Sequence, residues 1–442
     1  MTTQTLIEDP APIAHNTASW PLAQRIAFRF CFVYFILFVL SNQTINSIII
    51  LPYVDTPDLD TVWPVRLGII WVAQHIFGVK TELIYSGSGS GDKTFDWVML
   101  FCLFVVSLLA AAAWSALDHR RQSYSTLFKW FHLFLRVALG SQMLVYGFAK
   151  AVPLQMPFPY LAKQLEPFGR FSPMGILWSS IGASPAYEIF AGCAELLGGF
   201  LLIFPRTVTL GALVCLADMV QVFFLNMTYD TPVKIFSFHL ILMSLLLLAP
   251  QARRFANFFF LNRPVEPLPQ TRLFRSRRAN GITIGLLSFL WLWMIGNNVY
   301  GSWTSWYQYG GGRTKSALYG VWDIVQFVSD GQTHPPLLTD NDRPRRAVFD
   351  FATTMQFQRM DDSLDNYGAA IDVKAGTLAL TQAHNKNWKA GFTFQRPDSD
   401  HLILDGTMNG HKLHIECKLA EVAKPLFATR GFHWISEYPF NR

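Results

Sequence analysis

The sequence predicts an α-helical membrane bundle of about seven transmembrane helices, followed by an all-β antiparallel domain, a barrel or a sandwich. Three observations predict it. Of the 442 residues, 51% are hydrophobic and only 15% charged, far from the balance of a soluble domain. The apolar residues gather into runs long enough for a hydrocarbon core of about 30 Å. Beyond about residue 318 they change to short alternating runs separated by turn signals, the pattern of half-buried strands.

Aromatic residues reach 15%, which suits interfacial belts. The formal charge of +6 is carried largely by Arg and Lys in loops beside the apolar runs, so it signals orientation and not a nucleic-acid surface. Of the five cysteines, Cys31, Cys102, Cys193 and Cys215 lie in apolar runs and Cys417 stands in the tail. No CxxC or metal-ligand spacing occurs, so neither a dithiol centre nor a bound metal is expected.

Residues 1–24 form a polar segment ahead of a full-length span, which argues against a cleaved signal peptide. The first span covers 25–51 and Pro52 ends it. An acidic loop with Asp55, Asp58, Asp60 and Glu82 follows. Within it, 62–79 is apolar but interrupted by Pro64, Arg66, Gln74 and His75, as in a helix lying at the interface. Ser86 to Asp92 alternates Ser and Gly but lacks the GK[ST] of a phosphate loop and is expected to be a linker.

The second span, 95–114, completes a region of two helices over 25–127. The third, 128–151, sets Arg136, Gly140, Gly147 and Lys150 on one stripe, where small residues let a neighbouring helix come close. A long loop rich in proline and aromatics follows, with an interfacial segment near Phe171–Met174. The fourth span, 185–204, carries Glu188 and Glu195 and turns at Pro205-Arg-Thr207 into the fifth, which ends near Asn226. Tyr229 to Lys234 opens the sixth, which ends at Pro250.

The membrane core is thus expected over 128–263 and a basic loop over 264–280, with the seventh span over 281–300. Arginines 253, 254, 263, 272, 275, 277 and 278 face one acid, Glu266, which predicts a cytoplasmic location. With seven spans the N-terminus is then cytoplasmic and the tail, 318–442, extracytoplasmic. In the tail, Asn409-Gly410 between alternating runs is a hairpin signal. His411 and His414 would face opposite sides of a strand, and Asp361, Asp362 and Asp365 lack the glycine and final glutamate of an EF-hand.

Polar side chains in the core are the candidate site. Hydrocarbon strips their hydration, so Arg136, Lys150, Glu188, Glu195, Asp218, Gln221, Asn226, Asp230, Lys234 and His239 are expected to face inward. At about 1.5 Å per residue, Arg136, Glu195 and Asp218 fall near mid-membrane. There they form either a structural ion pair or triad, or a set in which one carboxylate shares its proton with a ligand. A second group, Lys150 with Tyr146, Glu188, Gln221, Asn226, Tyr229, Asp230 and Lys234, lies nearer the outer face. Its lysines either snorkel to the headgroups or line a cavity. His239 is expected to be a hydrogen-bonded core residue.

Residues 136–263 resemble the DoxX-like family of bacterial membrane proteins. The likeness rests on Arg136 to Gly140, Tyr146-Gly-Phe-Ala-Lys150, Ser172-Pro-Met174, Phe190-Ala-Gly-Cys-Ala-Glu195, Pro205-Arg-Thr207, Leu210-Gly211, Asn226 to Lys234 and Leu261-Asn-Arg263. The tail looks like that of longer family members. A more distant likeness is to the DoxD subunit of thiosulfate:quinone oxidoreductase and to the membrane domain of vitamin K-dependent carboxylase. The resemblance implies a four-helix core in the bacterial inner membrane and a link to quinone or sulfur redox chemistry; the missing cysteine pairs speak against direct thiol chemistry.

Two functions follow as expectations. In one, the chain is a redox-associated protein, a quinone-linked oxidoreductase or a subunit of one. A quinone or similar lipophilic ligand is expected in the outer half of the core, with Lys150 or Lys234 bonding its oxygen and Glu195 or Asp218 exchanging protons. Lys150, Glu195 and Asp218 are the catalytic candidates, Arg136, Tyr146, Glu188, Gln221, Asn226, Tyr229, Asp230, Lys234 and His239 the ligand-binding ones, and a redox protein is the expected partner. In the other it is a non-catalytic scaffold that anchors an extracytoplasmic β domain and recruits partners. A transporter is disfavoured because no inverted repeat or broken span is evident.

Overall fold

The computed structural model describes residues 19–50, 58–266, 273–274, 276–420, 425–431 and 433–440. Pro52, Asp55, Arg272, Arg275 and most of the N-terminal segment lie outside these. The α-helices among the described residues are α1 (Leu22–Leu40), α2 (Thr44–Ile48), α3 (Trp63–His75), α4 (Thr94–Leu117), α5 (Ser125–Ala151), α6 (Leu161–Leu165), α7 (Pro173–Gly182), α8 (Pro185–Ile203), α9 (Val208–Thr228), α10 (Lys234–Leu248), α11 (Ala252–Phe255), α12 (Arg277–Gln308) and, after the strands, α13 (Leu426–Thr429). Among the described residues, seven helical stretches are long and apolar enough to cross a membrane: α1, α4, α5, α8, α9, α12 and the stretch Lys234–Phe260. The chain is a multi-pass membrane protein.

Local chemistry sets the helix ends. Pro64 and Pro173 stand in the first turns of α3 and α7, where a missing N–H costs nothing, and the Ser172 hydroxyl accepts the Gly175 N–H at 3.1 Å. The first span stops short of its expected end. Asn42 Oδ1 accepts both the backbone N–H and the hydroxyl of Thr44 at 2.9 and 2.6 Å, so this side chain competes with the helical ladder and α1 ends at Leu40. In the other direction, α12 is 32 residues long, well beyond the expected 281–300. The 62–79 segment forms the 13-residue α3, too short to count among the long apolar helices.

The chain forms two compact units, one of residues 1–142, 199–216 and 235–294 and the other of residues 143–198, 217–234 and 295–442. In the first, Arg29 of α1 is almost wholly buried. Its guanidinium donates to the Tyr124 hydroxyl, to Ser115 Oγ at 2.7 Å and to the Asp118 carbonyl at 3.0 Å. Such saturation is what a charge needs in an apolar interior.

The second unit contains a closed antiparallel barrel of eight strands. These are β1 (Lys315–Ser329), β3 (Pro344–Phe351), β4 (Thr354–Arg359), β5 (Leu364–Asp372), β6 (Thr377–Gln382), β7 (Asn385–Gln395), β8 (His401–Met408) and β9 (His411–Leu419), with β2 (Gln332–Thr333) a short addition to β1. The pairing of β1 with β9, Phe327 opposite Ile415, closes the ring. Eight strands leave an interior that side chains can fill, and Trp322, Phe327, Phe349, Phe392, Leu404 and Ile415 fill it. The expected hairpin forms: Asn409 and Gly410 take φ of 55° and 84° between β8 and β9, the left-handed pair that a two-residue turn requires. His411 pairs with Asp330, whereas His414 pairs with Asp405 and Glu416.

Candidate functional site

The site begins with glycines. A Cβ at Gly192 of α8 would stand 2.3 Å from the Ala151 amide nitrogen and 2.7 Å from the Gly147 carbonyl oxygen, and one at Gly147 would stand 2.8 Å from Leu196 Cγ. Without these side chains the α5 and α8 backbones touch. That approach brings Lys150 to Glu195: the ammonium donates to both carboxylate oxygens, at 2.7 and 2.9 Å. Both side chains are buried. The Tyr146 ring lies 5.6 Å from the ammonium, within cation–π range.

Two more carboxylates stand within Coulombic reach of Lys150. Glu188, in the first turn of α8 and fully buried, accepts the Met156 backbone N–H at 2.8 Å on Oε1. Its Oε2 is buried with no hydrogen-bond partner among the described residues, and so is Oδ2 of the half-buried Asp218 on α9. One carboxylate, Glu195, thus contacts the Lys150 ammonium, and two more, Glu188 and Asp218, feel its charge. If all three were ionised, two negative charges would remain uncompensated in an apolar setting, a state that exchangeable protons or a donor ligand relieves. An ammonium has three N–H donors. Glu195 takes two.

Asn226 is buried and Tyr229 half-buried on the same unit. Asp230, contrary to the expectation that it faces inward, is exposed; it takes φ 51° in the left-handed region and accepts from Lys234 at 2.8 Å, one turn away. Gln221 is exposed, contrary to the expectation that it faces inward. It follows the buried Met219 by two positions, which at 3.6 residues per turn carries it to the far side of α9.

Arg136 and His239 belong to the other unit. Arg136 donates to the Leu202 and Ile203 carbonyls, so backbone oxygens at the end of α8 replace the carboxylates expected for it. These carbonyls lack partners within their own helix and carry its negative dipole end, which a guanidinium satisfies. His239 has both ring nitrogens engaged, Nδ1 by the Ile235 carbonyl at 2.7 Å and Nε2 by the Tyr34 hydroxyl at 2.8 Å. Phe38 stacks on its ring at 4.0 Å, so it is the hydrogen-bonded core residue expected.

Sequence reasoning missed the part played by Met156. No side-chain signal could have shown it, since the contribution is a backbone N–H. Gly192 was legible only within the Phe190–Glu195 run. Among the described residues no group of three or more His, Cys, Asp or Glu could hold a metal ion.

The chain is 34% identical over 124 residues to an uncharacterized protein, YwoB, of Bacillus subtilis (strain 168); the match covers 28% of this chain and 79% of YwoB. No family model and no solved structure matches the chain.

Proposed function

This chain belongs to the family of Bacillus subtilis YwoB, and we propose, from its own residues, that it is a DoxX-like inner-membrane protein whose buried Lys150 site takes a quinone. One observation carries the proposal: carboxylate oxygens on Glu188 and Asp218 that have no hydrogen-bond partner among the described residues lie buried near the Lys150–Glu195 pair. Unsatisfied buried polar atoms are costly and cluster at functional sites.

The donor set fits the head group. The third N–H of Lys150 can donate to a quinone oxygen, and Glu188 and Asp218 can hold or release protons at Oε2 and Oδ2. A quinone supplies two-electron, two-proton redox chemistry when bound, and a redox partner protein exchanges the electrons. Glu195 keeps Lys150 charged and oriented. The basic stretch around Arg253, Arg254 and Arg263 supports a cytoplasmic side for that end of the helices and, with seven spans, an extracytoplasmic side for the barrel.

The test is quinone titration of purified protein in detergent, followed by the retained quinone and by fluorescence. Lys150→Ala and Glu195→Gln are each expected to weaken binding at least about tenfold, the loss of one charge-assisted hydrogen bond. Protein without bound or titratable quinone, or unchanged titration in both variants, overturns the proposal.

The second function, a scaffold for the β domain, is favoured by the direct, buried two-bond pair of Lys150 and Glu195, which also suits a structural lock. It requires that charge-neutral swaps change only yield or stability while deletion of the barrel abolishes partner recruitment.

A further inference from the structure

The segment Met156-Pro-Phe-Pro-Tyr-Leu161 joins two carboxylates. At one end the Met156 N–H bonds Glu188 Oε1 at 2.8 Å, and at the other the Leu161 N–H bonds Oδ2 of Asp350, on barrel strand β3, at 2.8 Å. We infer that the barrel is a positioning element for Glu188: Asp350, clamped by Arg313, holds residues 156–161 as a strap whose Met156 amide fixes that carboxylate. The inference rests on Glu188 belonging to the proposed site, but its geometry needs no ligand.

Each link is built. Asp350 is buried, and its second oxygen takes the Arg313 guanidinium, a charge-assisted contact stronger than a neutral one. Arg313 lies against both the Tyr160 and Phe351 rings, 4.9 and 4.5 Å from their centroids, and the rings meet each other edge to face at 4.9 Å, a contact that suits a planar guanidinium better than a lysine. Ala162 of α6 packs on Val321 and Val348 of the barrel, and Phe158 packs on Phe427. The strap is stiff, because Pro157 and Pro159 fix φ at two of its six positions. It is also backed closely: a Cβ at Gly182 would stand 2.6 Å from the Met156 carbonyl oxygen and 2.5 Å from that of Pro157. A displacement at Leu161 therefore passes to Met156 and is not absorbed as slack.

Hydrogen–deuterium exchange of the full-length protein in detergent tests this amide by amide. Asp350→Ala and Arg313→Gln are expected to speed exchange about tenfold or more at Leu161 and also at Met156, while the β6–β8 amides keep their protection. Arg313→Lys, which retains the charge and loses the stack, is expected to give a smaller acceleration at the same two amides and covers the case in which the harsher variants do not fold. Glu188→Leu should release Met156 and leave Leu161 protected. Acceleration confined to Leu161, or equal loosening of the whole barrel, overturns the inference. Quinone titration failing while the exchange pattern holds removes the ligand proposal alone; the reverse removes the strap alone.

Discussion

Asp60 shows at the residue scale what burial does to a carboxyl outside the spans. Its side chain is buried, Oδ1 has no partner among the described residues, and desolvation, reinforced by Asp58 and Asp96, pushes its pKa up to about 6. A folded-state value above the unfolded one means that the folded chain holds the proton more tightly. The associated stability is present below the ordinary carboxylate range and is lost as pH rises through about 6. Asp60→Asn is therefore expected to melt with the parent protein at about pH 4 and to exceed it by about 2 kcal/mol at about pH 8. Parallel melting curves across that range would contradict the assignment.

The helical elements are specified by what they lack as much as by what they carry. Gly192 has no room for a methyl group against α5, whereas Gly296 on α12 has nothing within 4 Å of its would-be Cβ. Gly192→Ala should cost about 1–3 kcal/mol, the usual penalty of overpacking, and Gly192→Leu more, with the Lys150–Glu195 bonds lost as the helices part. Gly296→Ala should be neutral or slightly stabilising. Thermal unfolding in detergent separates the two glycines; equal effects would mean that helix approach does not build the site.

For the whole molecule, the barrel has a core of its own, and Cys417 reports on it. That thiol is buried, and burial, with Asp323 and Glu416 nearby, pushes it up to about 12. Thiolate is the reactive form. In the full-length chain Cys417 is thus expected to resist maleimide until the barrel opens, with modification tracking the loss of β-sheet circular dichroism under denaturant. Rapid modification of the folded protein would show that the ring of strands opens locally.

The sequence by itself determined the bundle of apolar helices, the all-β tail and the Asn409-Gly410 hairpin, because helix length, strand alternation and turn chemistry are local properties of the chain. It also determined which residues were too polar for hydrocarbon. Their partners were another matter. Lys150 and Glu195 meet across helices forty-five positions apart, Arg136 finds carbonyls in place of carboxylates, and Gln221 points away. Only the tertiary structure decided these pairings, since they depend on helix rotation and on backbone N–H groups such as that of Met156, which every non-proline residue carries and no sequence pattern singles out.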